Sequence, residues 1–434
     1  MKAKARPPMP RRTAVDPISA LRHSGYLVYL LGGLISNTGS QMRIVAAQWE
    51  ITIREPDLRK QALFLGYIGL ALVLPVILFA LPAGAAADRF SRRWLIVIAQ
   101  LGLALCGVGL AWASWVTAPL PYIYLLLFGT GVFRALGWPA SSAIVTGLVP
   151  AKIFSNAATW RSNAYQLAST IGPLAAGFLL AWWNPYIVFL IDGASSVVLA
   201  ICMLFVKPRP QERVIEPKSW RALLQGIHFL RRQPIILSTM TLDMVAVLFG
   251  GVVALLPIFA RQFFPDPNQA AVALGWMRAM PALGSILMGF VIAMRPPIQR
   301  GGRTILITVL IFGISTIIFG ATKSFAVSLA ALFILGAADN ISVVIRQTVL
   351  QLLTPDSMRG RVTAVSVIFI GSSNELGEFE SGLAASFLGL EQSVVFGGVM
   401  TLVTVAVVAV MWPELLRLGS LEHLEPADPA EAVV

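Results

Sequence analysis

Histidine is nearly missing from this sequence. His23, His228 and His423 are the only three, and all lie outside the long apolar runs. Proton transfer within those runs would therefore need carboxylates, whose affinity for a proton rises when they are desolvated. Cysteine is scarcer still. Cys106 and Cys202 each sit inside an apolar run, which implies neither a disulfide framework nor a metal centre. Charge is thin: Asp, Glu, Lys and Arg make up 12% of the chain, against about 25% in a soluble protein. The sequence has no G-x-x-x-x-G-K-[ST] loop for nucleotide phosphates and no G-x-S-x-G elbow for a nucleophilic serine. No catalytic set is visible, so no enzyme, cofactor or metal is expected.

What the sequence has in quantity is apolar: 57% of its 434 residues. Runs long enough to cross a ~30 Å hydrocarbon core as a helix recur along its whole length. Twelve spans are expected, at 26–50, 61–83, 94–115, 119–140, 159–181, 185–206, 235–260, 269–293, 304–321, 325–348, 362–388 and 392–412. An even count puts both termini on one side of the membrane. Of the 33 Lys and Arg residues, 24 lie in alternate loops counted from the N-terminus. Only Arg54, Arg59, Lys60, Arg261 and Lys323 lie in the opposite loops. The positive-inside rule then predicts cytoplasmic termini in the inner (plasma) membrane. The net charge of +12 is spread over the inner loops. It reports topology, not nucleic acid binding.

The polar break at 207–234 divides six spans from six. The expected order is a cytoplasmic arm (1–25), a six-helix bundle (26–206), a cytoplasmic linker (207–234), a second bundle (235–412) and a cytoplasmic tail (413–434). The basic, proline-rich start of the arm, MKAKARPPMPRRTAVDP, is expected to be retained and disordered, as is the acidic end of the tail, HLEPADPAEAVV. Inside the linker, Trp220, Leu223, Leu224, Ile227 and Leu230 recur at helical spacing. They predict an amphipathic helix that either lies on the membrane surface or packs on its own bundle.

The two halves resemble each other. LPVILFALPAG (74–84) aligns with MPALGSILMGF (280–290) at an offset of 206, and GLVPAKIFSNAATWR (147–161) with LLTPDSMRGRVTAVS (352–366) at 205. At 205, Gly172 and Gly177 fall on Gly377 and Gly382. A nearly constant offset implies a duplicated six-span unit, a recurring plan in which the substrate site lies between the halves.

Charges inside spans are the candidates for function, because such residues usually face the interior or a wet pathway. SSNELGEFESG (372–382) holds Glu375, Glu378 and Glu380, where the first half has Thr170, Pro173 and Ala175. On an ideal helix Glu375 and Glu378 share a face, while Glu380 points roughly 140–160° away. With Asp339 they are the proton-coupling candidates. The alternative, that the glutamates are clamped to arginines as structural pairs, stays open. Arg134 and Asp339 are equivalent at the offset of 205 and are expected near the midplane. Arg43, Glu50, Arg134, Asp243, Arg278 and Arg346, with Trp138 as a surface for a flat molecule, are the cavity candidates. Asp192 completes the set of charges within spans.

GAAADRFSRR (84–93), in the loop after the second span, resembles the signature of the major facilitator superfamily, G-x-L-a-D-r-x-G-r-r. Gly84, Asp88, Arg89, Arg92 and Arg93 match; Ala86 and Ser91 depart. ALRHSGYLVYLLGGLISNTGSQMRIVAAQW (20–49), GVFRALGWPASSAIVTGLVP (131–150), GIHFLRRQP (226–234) and RGRVTAV (359–365) are similar to the branch that includes enterobactin-type siderophore exporters and macrolide efflux proteins. GPLAAG (172–177) resembles the G-P-x-x-G-G stretch of proton-coupled exporters, with Ala176 departing.

The resemblance implies an all-α membrane fold of two pseudo-symmetric bundles. It implies a conformational gate at Gly84, Asp88, Arg89, Arg92 and Arg93, and in the fifth span at Gly172 and Pro173. The expected function is a monomeric, proton-coupled exporter of a hydrophobic or amphipathic small molecule, such as a siderophore, macrolide or other drug. A lipid or lysolipid flippase of the same fold, and a scaffold or sensor that transports nothing, are the alternatives.

Overall fold

The computed structural model describes residues 16–209, 220–295, 298–355 and 358–420. Among them every regular element is a helix. The N-terminal half contains α1 (Ser24–Arg54), α2 (Leu58–Arg89), α3 (Arg92–Trp115), α4 (Leu120–Leu148), α5 (Phe154–Trp182) and α6 (Pro185–Phe205). After α7 (Trp220–Arg232) come α8 (Pro234–Phe249), α9 (Leu256–Phe263), α10 (Pro267–Met294), α11 (Gly301–Ala321), α12 (Phe325–Leu353), α13 (Arg359–Leu388), α14 (Leu390–Met411) and the short α15 (Pro413–Arg417). Ten segments are long and apolar enough to cross a membrane, with α8 and α9 counted together. The charged helices α1 and α13 complete the twelve. Leu105 on α3, Phe205 on α6, Ile307 on α11 and Val410 on α14 are exposed, as side chains turned to lipid should be.

The duplication is visible in the packing. In the first half α3 packs on α6 and α4, α1 on α6 and α5, and α2 on α4. In the second half α11 packs on α14 and α12, α8 on α14 and α13, and α10 on α12. The second set is the first, shifted by six spans. One joint recurs in detail. A Cβ built on Gly131 of α4 would stand 2.7 Å from Pro75 Cγ on α2. About 205 residues on, Gly336 of α12 is pressed against Pro281 of α10. Pro75 and Pro281 both lie within helices. Each costs a backbone bond, and a glycine opposite makes room for the displaced turn.

The halves meet through α2 against α13 and α5 against α10, two crossings that exchange under the same symmetry. Both rest on paired glycines. A Cβ on Gly177 would stand 2.8 Å from the Cα of Gly275, and one on Gly382 would stand 2.7 Å from the Cα of Gly66. Small residues let backbones approach where lipid offers no hydrophobic drive. All four glycines lie in the part of the bundle away from the chain termini. One apolar core there is shared by both halves, running from Trp49 and Leu65 to Phe259 and Leu274. At the end bearing the termini the core is divided. One cluster around Tyr26, Ile96 and Met203 belongs to the first half, and another around Phe229, Ile305 and Val408 belongs to the second. The molecule is joined at one end and parted at the other.

The span expected at 235–260 is broken. α8 stops at Phe249, Gly250 and Gly251 turn the chain, and a short 3-10 helix (Val252–Leu255) leads into α9. The physical reason is the glycine pair against α13: a Cβ on Gly251 would stand 2.6 Å from the carbonyl carbon of Gly377. Unwound backbone at this depth is tolerated only where protein covers it.

α7 forms in the linker. Of its two expected placements, packing on its own bundle is the one found. Phe229 and Leu230 are buried in the second half's core, and α7 lies against α13 and α8. Leu224 stays exposed, and the side chains of Trp220 and Leu223 lie outside the described residues. Most of the arm lies outside them too. Its last part is tied down, contrary to a wholly free arm: Asn156 and Trp160 of α5 donate to the Pro17 carbonyl at 2.7 and 2.9 Å. The acidic end of the tail is outside the described residues. The start of the tail folds back, burying Leu415 and Leu418, and the carbonyls of Gly419 and Leu418 accept from the Gly301 and Gly302 amides that begin α11.

Candidate functional site: a charged seam between the halves

α13 is one uninterrupted helix, so Glu375 and Glu378 share a face as the spacing predicts,. That face meets the N-terminal half. A Cβ on Gly69 of α2 would stand 3.0 Å from the Cβ of Glu378. Arg134 of α4 pairs with Glu375 across the halves. Its guanidinium also stands 6.0 Å from the ring centroid of Trp138, within cation–π range. Arg278 of α10 lies 4.0 Å from Glu378, inside the second half, and donates to Gln48 Oε1 of α1 at 2.7 Å. The seam therefore reads Arg134, Glu375, Glu378, Arg278, Gln48, and it crosses between the halves twice. Glu380 is on another face, with Ser381 Oγ 3.5 Å from its carboxylate.

The seam is enclosed but not saturated. Arg278 and Glu375 have side chains only 8% and 13% exposed, while Arg134 keeps 31%. Arg134 Nε, Arg278 Nε, Gln48 Nε2 and Glu375 Oε2 are buried without a hydrogen-bond partner in the protein. Buried polar atoms usually have partners, so the seam can take further polar groups.

The other charged candidates are not brought to this place. Arg43, Glu50, Asp243 and Arg346 are paired within their own bundles. Arg43 donates to Asp192 of α6 at 2.7 Å, with both side chains essentially buried. Asp243 of α8 pairs with Arg346 of α12. Glu50 holds Arg54 and accepts from Ser114 at 2.7 Å, near the end of α3. Asp339 faces a small cavity with Asp243, inside the second bundle. Arg134 and Asp339, equivalent in sequence, thus serve different surroundings: one crosses the halves and the other does not.

In the 84–93 loop Gly84 is buried and Arg89 ends α2; the Asp88 side chain lies outside the described residues. Arg92 donates to the Ala143 carbonyl of α4 at 3.0 Å and Arg93 to the Leu204 carbonyl of α6 at 2.6 Å. Cations suit carbonyls near helix C-termini. In α5, Gly172 is pressed on α1, 2.6 Å from built Cβ to Gln41 Cβ. The Pro173 carbonyl faces Gly275 of α10.

Three participants escaped sequence reasoning. Gln48 carries no charge to draw notice, yet it is wholly buried and accepts from Arg278. Arg261, counted only as an outer-loop charge, donates to the Thr52 carbonyl across the halves at 2.8 Å. The Gly250–Gly251 pair was a visible signal for the break in the seventh span.

Two like halves joined at one end, with a polar seam between them, follow the recurring plan of membrane transporters built from repeats. The Major Facilitator Superfamily model matches residues 29–378, and the chain belongs to that family of transporters. It is 26% identical over 391 residues to the MFS-type transporter YfiS of Bacillus subtilis (strain 168), covering 84% of this chain and 88% of that one. It is also 26% identical over 290 residues to the enterobactin exporter EntS of Escherichia coli O1:K1 / APEC, covering 65% and 67%. Among solved structures, a D-xylose–proton symporter superposes with a TM-score of 0.72 at 15% identity, over 92% of this chain and 99% of that one. An inward-facing bacterial homologue of the human lysosomal transporter Spinster gives 0.67 at 18%, over 93% and 99%. At such identities the likeness is one of fold.

Proposed function

We propose that this protein is a monomeric, proton-driven exporter of a hydrophobic or amphipathic small molecule, of the siderophore, macrolide or drug type, in the inner membrane. The observation that carries the reading is the seam. The Arg134–Glu375 pair and the Arg278–Gln48 bond join the halves at the closed end, so both must break before that end can open. With both termini taken as cytoplasmic, the parted end faces the cytoplasm, which is the loading side for an exporter. The unpartnered polar atoms of the seam and the ring of Trp138 offer contacts to an amphipathic cargo. The enterobactin exporter among its relatives supports the direction and the class of cargo.

Coupling follows from the same pairs. While the arginines hold them, Glu375 and Glu378 are counter-ions. When the closed end parts and water enters, a carboxylate without its arginine can exchange a proton at the face it meets. Proteoliposomes with an imposed pH gradient, offered siderophores, macrolides, dyes and lysolipids, test the reading. Glu375→Gln and Glu378→Gln should keep expression and abolish gradient-driven transport. Normal transport by both single variants and the double variant would remove the coupling role. Loss of folded protein would favour purely structural pairs, and transport of lysolipid alone would favour a flippase.

A further inference from the structure

At the end bearing the termini, the rims of the two halves treat their arginines differently. In the first half several are spent within the protein. Arg22 pairs with Asp16 at 2.6 Å, Arg92 is held by the Ala143 carbonyl and Arg93 by the Leu204 carbonyl. In the second half Arg231, Arg295, Arg300, Arg303 and Arg417 are exposed. Among the described residues their side chains form no ion pair or hydrogen bond. Glu414 is the one acidic side chain on that rim among the described residues. Setting topology requires only that such cations be present. It does not account for apolar side chains exposed beside them.

Those apolar side chains lie on two short amphipathic helices. α7 plugs Phe229 and Leu230 into the core that holds Ile305, two residues from exposed, lipid-facing Ile307. That places α7 at the depth where the apolar part of the bilayer ends. Leu224, His228 and Arg231 follow one another at helical spacing on one stripe, and all three are exposed. α15 repeats the arrangement. Leu415 is buried in the same core, while Leu416 and Arg417 are exposed. Exposed Met294 immediately precedes Arg295, and exposed Met411 precedes α15. Leucine beside arginine at this depth matches a lipid, with acyl chain below and phosphate above.

We propose that α7, α15 and the start of α11 form a docking surface for anionic phospholipids of the adjoining leaflet. Arg231, Arg300, Arg303 and Arg417 meet the headgroup phosphates, for which a guanidinium is the fitting donor. Leu224 and Leu416 enter the acyl region. The excess of arginine over acid selects an anionic headgroup over a zwitterionic one. A lipid held here also steadies α13. A Cβ built on Gly226 of α7 would stand 3.0 Å from the Arg361 carbonyl, in the first turn of the helix that carries Glu375 and Glu378. The binding itself depends on neither the cargo nor its coupling.

Native mass spectrometry of the purified full-length protein in detergent, titrated with phosphatidylglycerol or phosphatidylcholine, tests the surface. Wild type should retain phosphatidylglycerol in preference. The double variant Arg231→Gln, Arg417→Gln should bind it about 25-fold more weakly, at about fivefold for each arginine near an anionic surface. Its binding of phosphatidylcholine should not change. Arg22→Gln removes a cation from the other half's rim and should alter neither lipid. If the double variant folds poorly, Arg303→Gln alone should show the fivefold fall. Equal retention of the two lipids by wild type would overturn the surface. So would an equal loss in Arg22→Gln and the double variant, which would reduce the effect to net charge. Displacement of phosphatidylglycerol by equimolar inorganic phosphate would assign the arginines to a free anion and overturn the lipid surface as well.

Discussion

At the scale of single residues, the contrast is between charges that hold a bundle together and charges that hold the halves together. Arg43 and Asp192 are the first kind, sealed inside the N-terminal bundle. Removing one partner of such a pair leaves the other buried and uncompensated, at a cost of about 3–5 kcal/mol. Asp192→Ala should therefore lower the detergent unfolding midpoint sharply. The double variant Arg43→Met, Asp192→Leu should recover most of the loss. A fall as large in the double variant as in the single one would contradict the account. Which glutamates share a face was legible in the sequence, because helical spacing alone decides it. Which arginine each meets was not. Arg134 and Glu375 are 241 residues apart, and no local pattern encodes that distance. The Arg134–Asp339 equivalence was real as an alignment and uninformative about partners, because the second half carries carboxylates that the first lacks.

At the scale of elements, the glycine crossings decide how the closed end stays closed. Gly177 against Gly275 and Gly382 against Gly66 leave no space for a side chain. Gly177→Val should overpack the crossing by about 1–3 kcal/mol. That is enough to shift a two-state balance roughly 5- to 150-fold, towards the arrangement parted at that end. Cysteine labelling from the two faces should show reactivity rising on the side away from the termini and falling on the other. Unchanged labelling with unchanged transport would show that the crossing sets no balance. Most elements were legible as apolar runs of spanning length. The seventh span was not, because an apolar composition is equally compatible with a continuous helix and with a broken one packed against α13. The Gly250–Gly251 pair hints at the break, and its contact with Gly377 gives the physical reason.

At the scale of the whole molecule, the fold was legible twice over, in the repeat offset and in the resemblance of the 84–93 loop, and the repeated packing of the two halves agrees with both. The state of the molecule was not legible, since one sequence must encode every access state. The loop belongs to this scale, because Arg92 and Arg93 tie α3 to α4 and α6 near the parted end. Asp88→Asn should leave the fold intact and slow transport by changing the balance of access states. Labelling of engineered cysteines at the two ends would report it. Equal accessibility at an equal rate would reduce the loop to a topology signal.

The fold-back of the tail bears on how the protein can be handled. Leu415 and Leu418 act as plugs, and the Gly419 and Leu418 carbonyls satisfy amides at the start of α11. A chain ended after Trp412 would lack both leucines, each worth about 1.5–3 kcal/mol when fully buried, would bare the surface they cover, and would strip two amides of their acceptors. Such a truncation should be recovered from membranes in poor yield and unfold at lower temperature. A reporter fused beyond residue 420 should leave both unchanged.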